Sequence, residues 1–261
     1  MSRLRPTLRH LAATLACAAL YSTSALAQTA APAAAPAPTS AHSFTGNAGL
    51  YSQYVFRGLT QTAEKPALQG GFDYAHTSGF YAGIWGSNIS WISDAVPDAS
   101  VSLELDTYLG YKKALSDDLT VDVGFLRYNY PGSYPSGMTK ADTNEIYGAI
   151  TWKWITAKYS YSLGDTFGVD DARGTDYFDL SASYEVAPKL TLSAHWGRQK
   201  YRGAGHSDFT YDDWKAGIAY ELSGYNLGLY GTGTNAKDSA YTIRGKNIGN
   251  SQVVVYVSKT F

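Results

Sequence analysis

The chain has 261 residues, with 21 Lys and Arg against 22 Asp and Glu. Charged residues make up only 16%, below the ~25% usual for soluble domains, while Tyr (22) and Gly (26) are abundant. The mean hydropathy is −0.23. No run after the leader nears the ~20 apolar residues of a helical span, and no basic stripe suits nucleic acid, so both of those classes are excluded.

Residues 1–27 read as an export signal and are set aside before any fold argument. Arg3, Arg5 and Arg9 make a positive start, Leu11 to Tyr21 is the apolar stretch, and Ala25-Leu26-Ala27 is an A-x-A cleavage site before Gln28. Cleavage there removes three basic residues, moving the net charge from −1 to −4. It also removes the single cysteine, Cys17. The preceding Thr14-Leu15-Ala16 is a poor lipobox, so cleavage after Ala27 is expected in place of lipid attachment. The exported chain then has no thiol and must hold its fold without disulfides. Residues 28–43, QTAAPAAAPAPTSAHS, form a disordered Ala/Pro linker without hydrophobic period.

From Phe44 to Phe261 short alternating runs recur between turn signals, and no segment has a helical period of useful length. Weak runs come first, at 44–57, 66–75 and 80–91; the last carries large residues on both faces, which leaves the direction of Trp85 open. Val101, Leu103, Leu105, Leu109 and Tyr111 then oppose Ser102, Glu104, Asp106 and Tyr108. Leu119, Val121, Val123 and Phe125 oppose Thr120, Asp122 and Gly124. Ile146, Ile150, Trp152 and Trp154 oppose Glu145, Tyr147, Thr151 and Lys153. A weak run at 157–162 precedes Phe178, Leu180, Ala182 and Tyr184 against Tyr177, Asp179, Ser181 and Ser183. Leu190, Leu192, Ala194 and Trp196 oppose Thr191, Ser193 and His195. Trp214, Ala216, Ile218 and Tyr220 oppose Lys215, Gly217 and Glu221. A weak run at 225–234 and the alternating end Val253–Ser258 complete twelve strands. Pro97, Pro131, Pro135 and Pro188 fall between runs and Pro66 opens one, so none deletes a ladder hydrogen bond inside a strand.

The connections sort by length. Links at 58–65, 92–99, 131–142, 163–175, 202–211 and 235–250 are long, and those between them are mostly short. A soluble sandwich has no reason for this, whereas an outer-membrane barrel has short periplasmic turns and long outer loops. In hydrocarbon every backbone polar group must be paired, so a spanning sheet must close on itself, apolar outside and wet within. The fold class expected over 44–261 is therefore all-β: a closed antiparallel transmembrane barrel of about 12 strands. Trp152 and Trp154 beside a short turn, and Trp91, Trp196 and Trp214 near long loops, fit two aromatic girdles. The terminal Phe261, after alternating valines, is similar to the signal that such barrels present to the barrel assembly machinery. Lys259 departs from its usual apolar pattern and would snorkel to the headgroups.

The stretches GNAGLYSQYVFRGLTQT (46–62), KPALQGGFDYAHTSGFYAGIWGSNISW (65–91), ELDTYLGY (104–111) and VVVYVSKTF (253–261) resemble the TorF-type porin family of proteobacteria. The resemblance covers 44–261 and is densest in the first third. It implies an outer-membrane β-barrel of a Gram-negative bacterium, and brings no catalytic or ligand residues with it.

Twelve strands lie between barrels filled by side chains and barrels that hold a water channel. Residues predicted to line the lumen are Asp73, Glu104, Asp106, Asp122, Glu145 and Asp179, against Arg57, Lys153, Lys158 and Lys215, with His195 among them. This slight acidic excess predicts a narrow, mixed-charge pore for passive diffusion of small polar solutes or ions, weakly favouring cations. The alternative is that the charges pair across the lumen and close it, leaving a structural barrel or surface receptor. An enzyme is the competing class. His76-Thr77-Ser78 and the pair Ser193 and His195 have the spacing of nucleophile and base, and His206, Asp208, Asp212 and Asp213 the residue types of a rim protease. The first lies in a short turn, the second faces the lumen, and the third reads as solvated loop, so no enzyme is expected. Asp165, Asp170, Asp171 and Asp176 crowd one loop but fail the EF-hand spacing, and no metal or cofactor site is expected. The partners expected are outer-membrane lipid and lipopolysaccharide, the assembly machinery and small polar solutes, with the oligomeric state left open.

Overall fold

The computed structural model describes residues 40–261. The leader and residues 28–39 of the linker lie outside the described residues. Twelve long strands follow in order: β1 His42–Tyr51, β2 Ala67–His76, β3 Phe80–Asn88, β4 Leu103–Ala114, β5 Leu119–Asn129 and β6 Thr143–Trp152. They continue as β7 Ile155–Ser162, β8 Asp176–Ala187, β9 Leu190–Lys200, β10 Tyr211–Leu222, β11 Tyr225–Thr234 and β12 Gln252–Thr260. Each pairs antiparallel with the next, and β1 pairs with β12, so the sheet closes into a barrel without an edge. The seam runs from Asn47 opposite Thr260 to Tyr51 opposite Tyr256. Gly46 and Phe261 extend it with two reciprocal backbone hydrogen bonds of 2.7 and 2.9 Å.

Period-two alternation puts one set of side chains outside. Leu50, Leu68, Phe72, Ile84, Leu109, Val123, Ile146, Leu180, Ile218, Leu229 and Val255 are all exposed there, an apolar band that water alone would not tolerate. The inside carries tyrosines and charges. Its tyrosines explain the composition, because several lie over a glycine at the paired position of the next strand. Tyr108 faces Gly83, Tyr81 faces Gly110, Tyr147 faces Gly124 and Tyr256 faces Gly228. A Cβ on Gly228 would sit 2.1 Å from the Tyr256 ring, and one on Gly83 2.4 Å from that of Tyr108. Small and large residues alternate so that rings can lie flat against the wall.

The connections keep the expected sorting, with short turns at one end and six long loops at the other. Four readings shift. β1 begins at His42, inside the span read as linker, and ends at Tyr51 instead of running to 57. Val55–Phe56 and Leu59–Thr60 form a separate small hairpin. β3 stops at Asn88, and Trp91 begins a short helix, α1 (Trp91–Ala95), instead of ending a strand. Trp85 is resolved: it points inward and is buried.

Candidate functional site

The site is built from the lumen and from the first long loop, 52–66, which folds into it. The hairpin in that loop turns at Arg57 and Gly58, both with positive φ (45° and 77°). This is the backbone of a type I′ turn, which favours Asn-Gly and in which Gly58 is the natural second residue. Arg57 is an unusual first residue, since a long side chain in the left-handed region costs ~1–2 kcal/mol.

What holds Arg57 there is its side chain. It reaches the inner wall and is 1% exposed. Its Nη2 donates to both oxygens of Glu145 on β6 at 3.0 and 2.8 Å, and its Nη1 donates to Gln199 Oε1 on β9 at 2.7 Å. Its guanidinium lies 4.2 Å from the centre of the Tyr177 ring on β8. Burial alone would lower its pKa, but Glu145, Tyr128 and Tyr177 together outweigh burial and hold it above the ordinary arginine range. One loop residue thus ties together three strands of the wall.

Its neighbours in the loop pack apolar surface into the same end of the barrel. Phe56 meets Tyr128 and Phe167 edge-on at 5.5 and 5.4 Å. Tyr54 packs against Trp85 and donates its hydroxyl to Glu104 Oε1 at 2.8 Å. Burial, and then the Glu104 charge, push that hydroxyl well above the ordinary tyrosine range. The other long loops pin this plug from above. Gln61 O accepts from the amides of Ser90 and Trp91, and the Thr60 amide donates to Ile248 O. Lys246 pairs with Glu64 at 3.2 Å, and Arg244 with Asp94 at 3.1 Å. The long-loop half of the lumen is therefore filled.

The short-turn half is different. Asp73, Lys112 and Ser193 face inward toward the short turns and are partly exposed, as are Lys158, Ser181 and Lys215 at mid-barrel and Asp179 nearer the plug. Tyr108 donates to Asp73, and Tyr81 to Asp122 at 2.7 Å. The Nζ of Lys158 sits 4.2 Å from the Tyr147 ring centre. His195 bridges strands, with Nδ1 2.7 Å from Asp179 on β8 and Nε2 2.7 Å from Asp213 on β10. This stretch of lumen, from the foot of the plug toward the short turns, is a charged vestibule, with the His195, Asp179 and Asp213 cluster at its plug end.

Most residues predicted for the lumen do point into it: Asp73, Glu104, Asp106, Asp122, Glu145, Lys158, Asp179, His195 and Lys215 from strands, and Arg57 from the loop. Lys153 does not. It lies in the two-residue turn between β6 and β7, about half-exposed and 3.7 Å from Asp118, because the strand ends one residue earlier. Lys112, Gln199 and Asp213 were missed. Asp213 was read as rim loop, yet it keeps the inward parity of Lys215 two residues on, a signal present in the sequence. Of the tryptophans, Trp152, Trp154, Trp196 and Trp214 face outward and are exposed, whereas Trp91 packs edge-on against Tyr130 within the loops.

The enzyme-like constellations come apart. His76 bonds Ser78 inside its own exposed turn. Ser193 bonds the Gly217 carbonyl, while His195 is held by the two aspartates. His206 bonds the Arg202 carbonyl, Asp208 pairs with Lys237, and Asp212 pairs with Arg198 on the outer face. Asp176 pairs with Arg202, Asp170 accepts from Thr139, and Asp165 accepts from the Asp171 amide. Among the described residues, no three or more His, Cys, Asp or Glu gather in a metal-binding group.

A family model described as "Bacterial protein of unknown function (Gcw_chp)" matches residues 35–261. The chain belongs to this family. No curated protein matches it. Among solved structures, it is similar to the KdgM porin at 9% identity and TM-score 0.53, over 83% of this chain and 99% of that one. It is also similar to the NanC porin at 12% identity and TM-score 0.51, over 84% and 99%. A KdgM porin in complex with disordered oligogalacturonate matches at 7% identity and TM-score 0.50, over 84% and 99%. At these identities the likeness is one of fold, a closed antiparallel barrel that in this chain has twelve strands.

Proposed function

We propose that the protein is a porin-like outer-membrane channel for passive diffusion of small polar solutes or ions, with loop 52–66 as its constriction. The observation that carries this reading is the charged, partly exposed lumen wall between the plug and the short turns. A barrel that served only as structure could fill that half with side chains, as small barrels do. The apolar outer band supports insertion in a bilayer, with the short turns and both strand ends on the periplasmic side. The TorF-type resemblance and the export signal agree with that placement.

Selectivity follows from the wall. Acidic and basic groups alternate around the vestibule, so it suits small polar solutes of either sign with a weak preference set by the net charge. Oligogalacturonate belongs to one of the similar porins. Here Lys112, Lys158 and Lys215 stand among aspartates and form no cationic track of their own, so a polyanion is not the solute proposed.

A second reading has its own observation. The burial of Tyr54, Phe56 and Arg57 favours a barrel permanently closed, acting at the surface through its outer loops. Recording from pure, folded protein in a planar bilayer separates the two. Small, discrete current steps support the channel. Their absence both in the wild type and in a variant whose residues 55–60 are replaced by Gly and Ser leaves the closed barrel.

A further inference from the structure

Glu104 and Asp106 are two residues apart on β4, so both point inward with their Cα atoms about 6.6 Å apart. Glu104 is 0% exposed and Asp106 6%. Each has an oxygen, Glu104 Oε2 and Asp106 Oδ1, that is buried and has no hydrogen-bond partner. Gln69 lies in the same inward row as Glu104, since it is paired with Ser87, which is paired with Glu104. It too is buried, and both its amide oxygen and its amide nitrogen lack partners. Buried polar groups are nearly always satisfied, so unpartnered oxygens on the inward face of these neighbouring strands call for an occupant.

The charges point the same way. Arg57 is engaged by Glu145, and among the described residues no cation pairs with Glu104 or Asp106. Lys158 stands toward Glu145, Asp122 and Asp179, Lys112 toward Asp122, and Lys215 toward Asp179 and Asp213. Glu104 and Asp106 lie in the sealed half of the lumen beside Glu145, and Arg57, already paired with Glu145, is the cation whose charge reaches Glu104. Burying carboxylates with so little compensation is costly, so a proton or a bound cation must offset them. The donors the wall presents are all oxygens. The Tyr54 hydroxyl donates to the other oxygen of Glu104, Oε1, and the Tyr130 hydroxyl also bonds Glu104.

We infer that the Glu104 and Asp106 carboxylates, with the Gln69 amide oxygen, form a binding site for a hard divalent cation, for which Ca²⁺ is the fitting size and charge. Calcium accepts irregular sets of carboxylate, amide and water oxygens, so two carboxylates suffice where a transition metal would ask for more protein ligands. The site lies at the base of the plug and stands whether or not the lumen conducts.

The test uses the full exported chain, folded in detergent and stripped with a chelator, with Tb³⁺ as the probe. Trp85 packs on Tyr54, which touches Glu104, so excitation of these rings should sensitise bound Tb³⁺. The expected result is one saturable site per chain, displaced by Ca²⁺. Asp106→Asn should weaken it at least tenfold, and Asp122→Asn and Asp170→Asn by less than twofold. Glu104→Gln serves as the second variant should Asp106→Asn not close its barrel, and it should weaken binding equally. No saturable emission from the wild type would overturn the site, leaving a proton shared between the two carboxylates. Binding that survives in both carboxylate variants but is lost in Asp170→Asn would overturn it in favour of the acidic outer loop.

Discussion

Arg57→Ala removes a loop side chain that reaches β6, β8 and β9. The variant loses two hydrogen bonds to Glu145, one to Gln199 and the stacking on Tyr177. Alanine keeps a Cβ, so the backbone strain at φ 45° remains. The larger effect is on Glu145, which stays buried with its main charge partner gone. Breaking a buried pair from one side costs ~3–5 kcal/mol, and the loss should be of that size. Urea unfolding of the detergent-folded protein, followed by tryptophan fluorescence, measures it. The double variant Arg57→Ala, Glu145→Gln should recover about half, because a neutral amide is cheaper to leave there than a carboxylate. A loss below ~0.5 kcal/mol for the single variant, or no recovery in the double, would refute the idea that this ion pair anchors the plug.

Three further outcomes follow from the same structure. Gly228→Ala pushes a Cβ into the Tyr256 ring and should cost ~1–3 kcal/mol by overpacking; Gly148→Ala, with nothing within 4 Å, should be near neutral in the same urea titration. Leu109→Arg, on the outer face of β4, should destabilise the protein in lipid vesicles by ~2–4 kcal/mol, and a value near zero would place that face in water. Deleting Phe261 removes the reciprocal backbone bonds to Gly46 and should slow closure of the seam, seen as a smaller heat-modifiable fraction on gels at early folding times, whereas unchanged kinetics would remove it from the closing step.

The strands were legible where one face is uniformly apolar, as in Leu103–Leu109 and Val253–Val257. Period two survives in such stretches because lipid and lumen make opposite demands on the two faces. It failed at Phe80–Asn88, where Phe80 and Ile84 go out while Tyr81 and Trp85 go in. A plugged lumen is itself protein-like and accepts aromatic rings, so hydropathy no longer labels the faces. The same cause hid the break after Tyr51. Tyr54, Val55 and Phe56 continue an alternating pattern, but they satisfy it by entering the lumen from a loop. For the site, parity placed Glu104, Glu145, Asp179 and His195 inward, but no spacing rule couples Arg57 to Glu145, 88 residues away, or sets His195 between Asp179 and Asp213. The first pairing depends on which strands face each other across the ring, fixed only by closure, and the second on the register of β8, β9 and β10.

The central claim is that loop 52–66 is what limits passage through an otherwise wet barrel. Single-channel recording of the wild type beside the variant with residues 55–60 replaced by Gly and Ser tests it most directly. The account predicts small steps in the wild type and steps at least twofold larger once the hairpin is gone. Equal steps in both, or none in either, would contradict it.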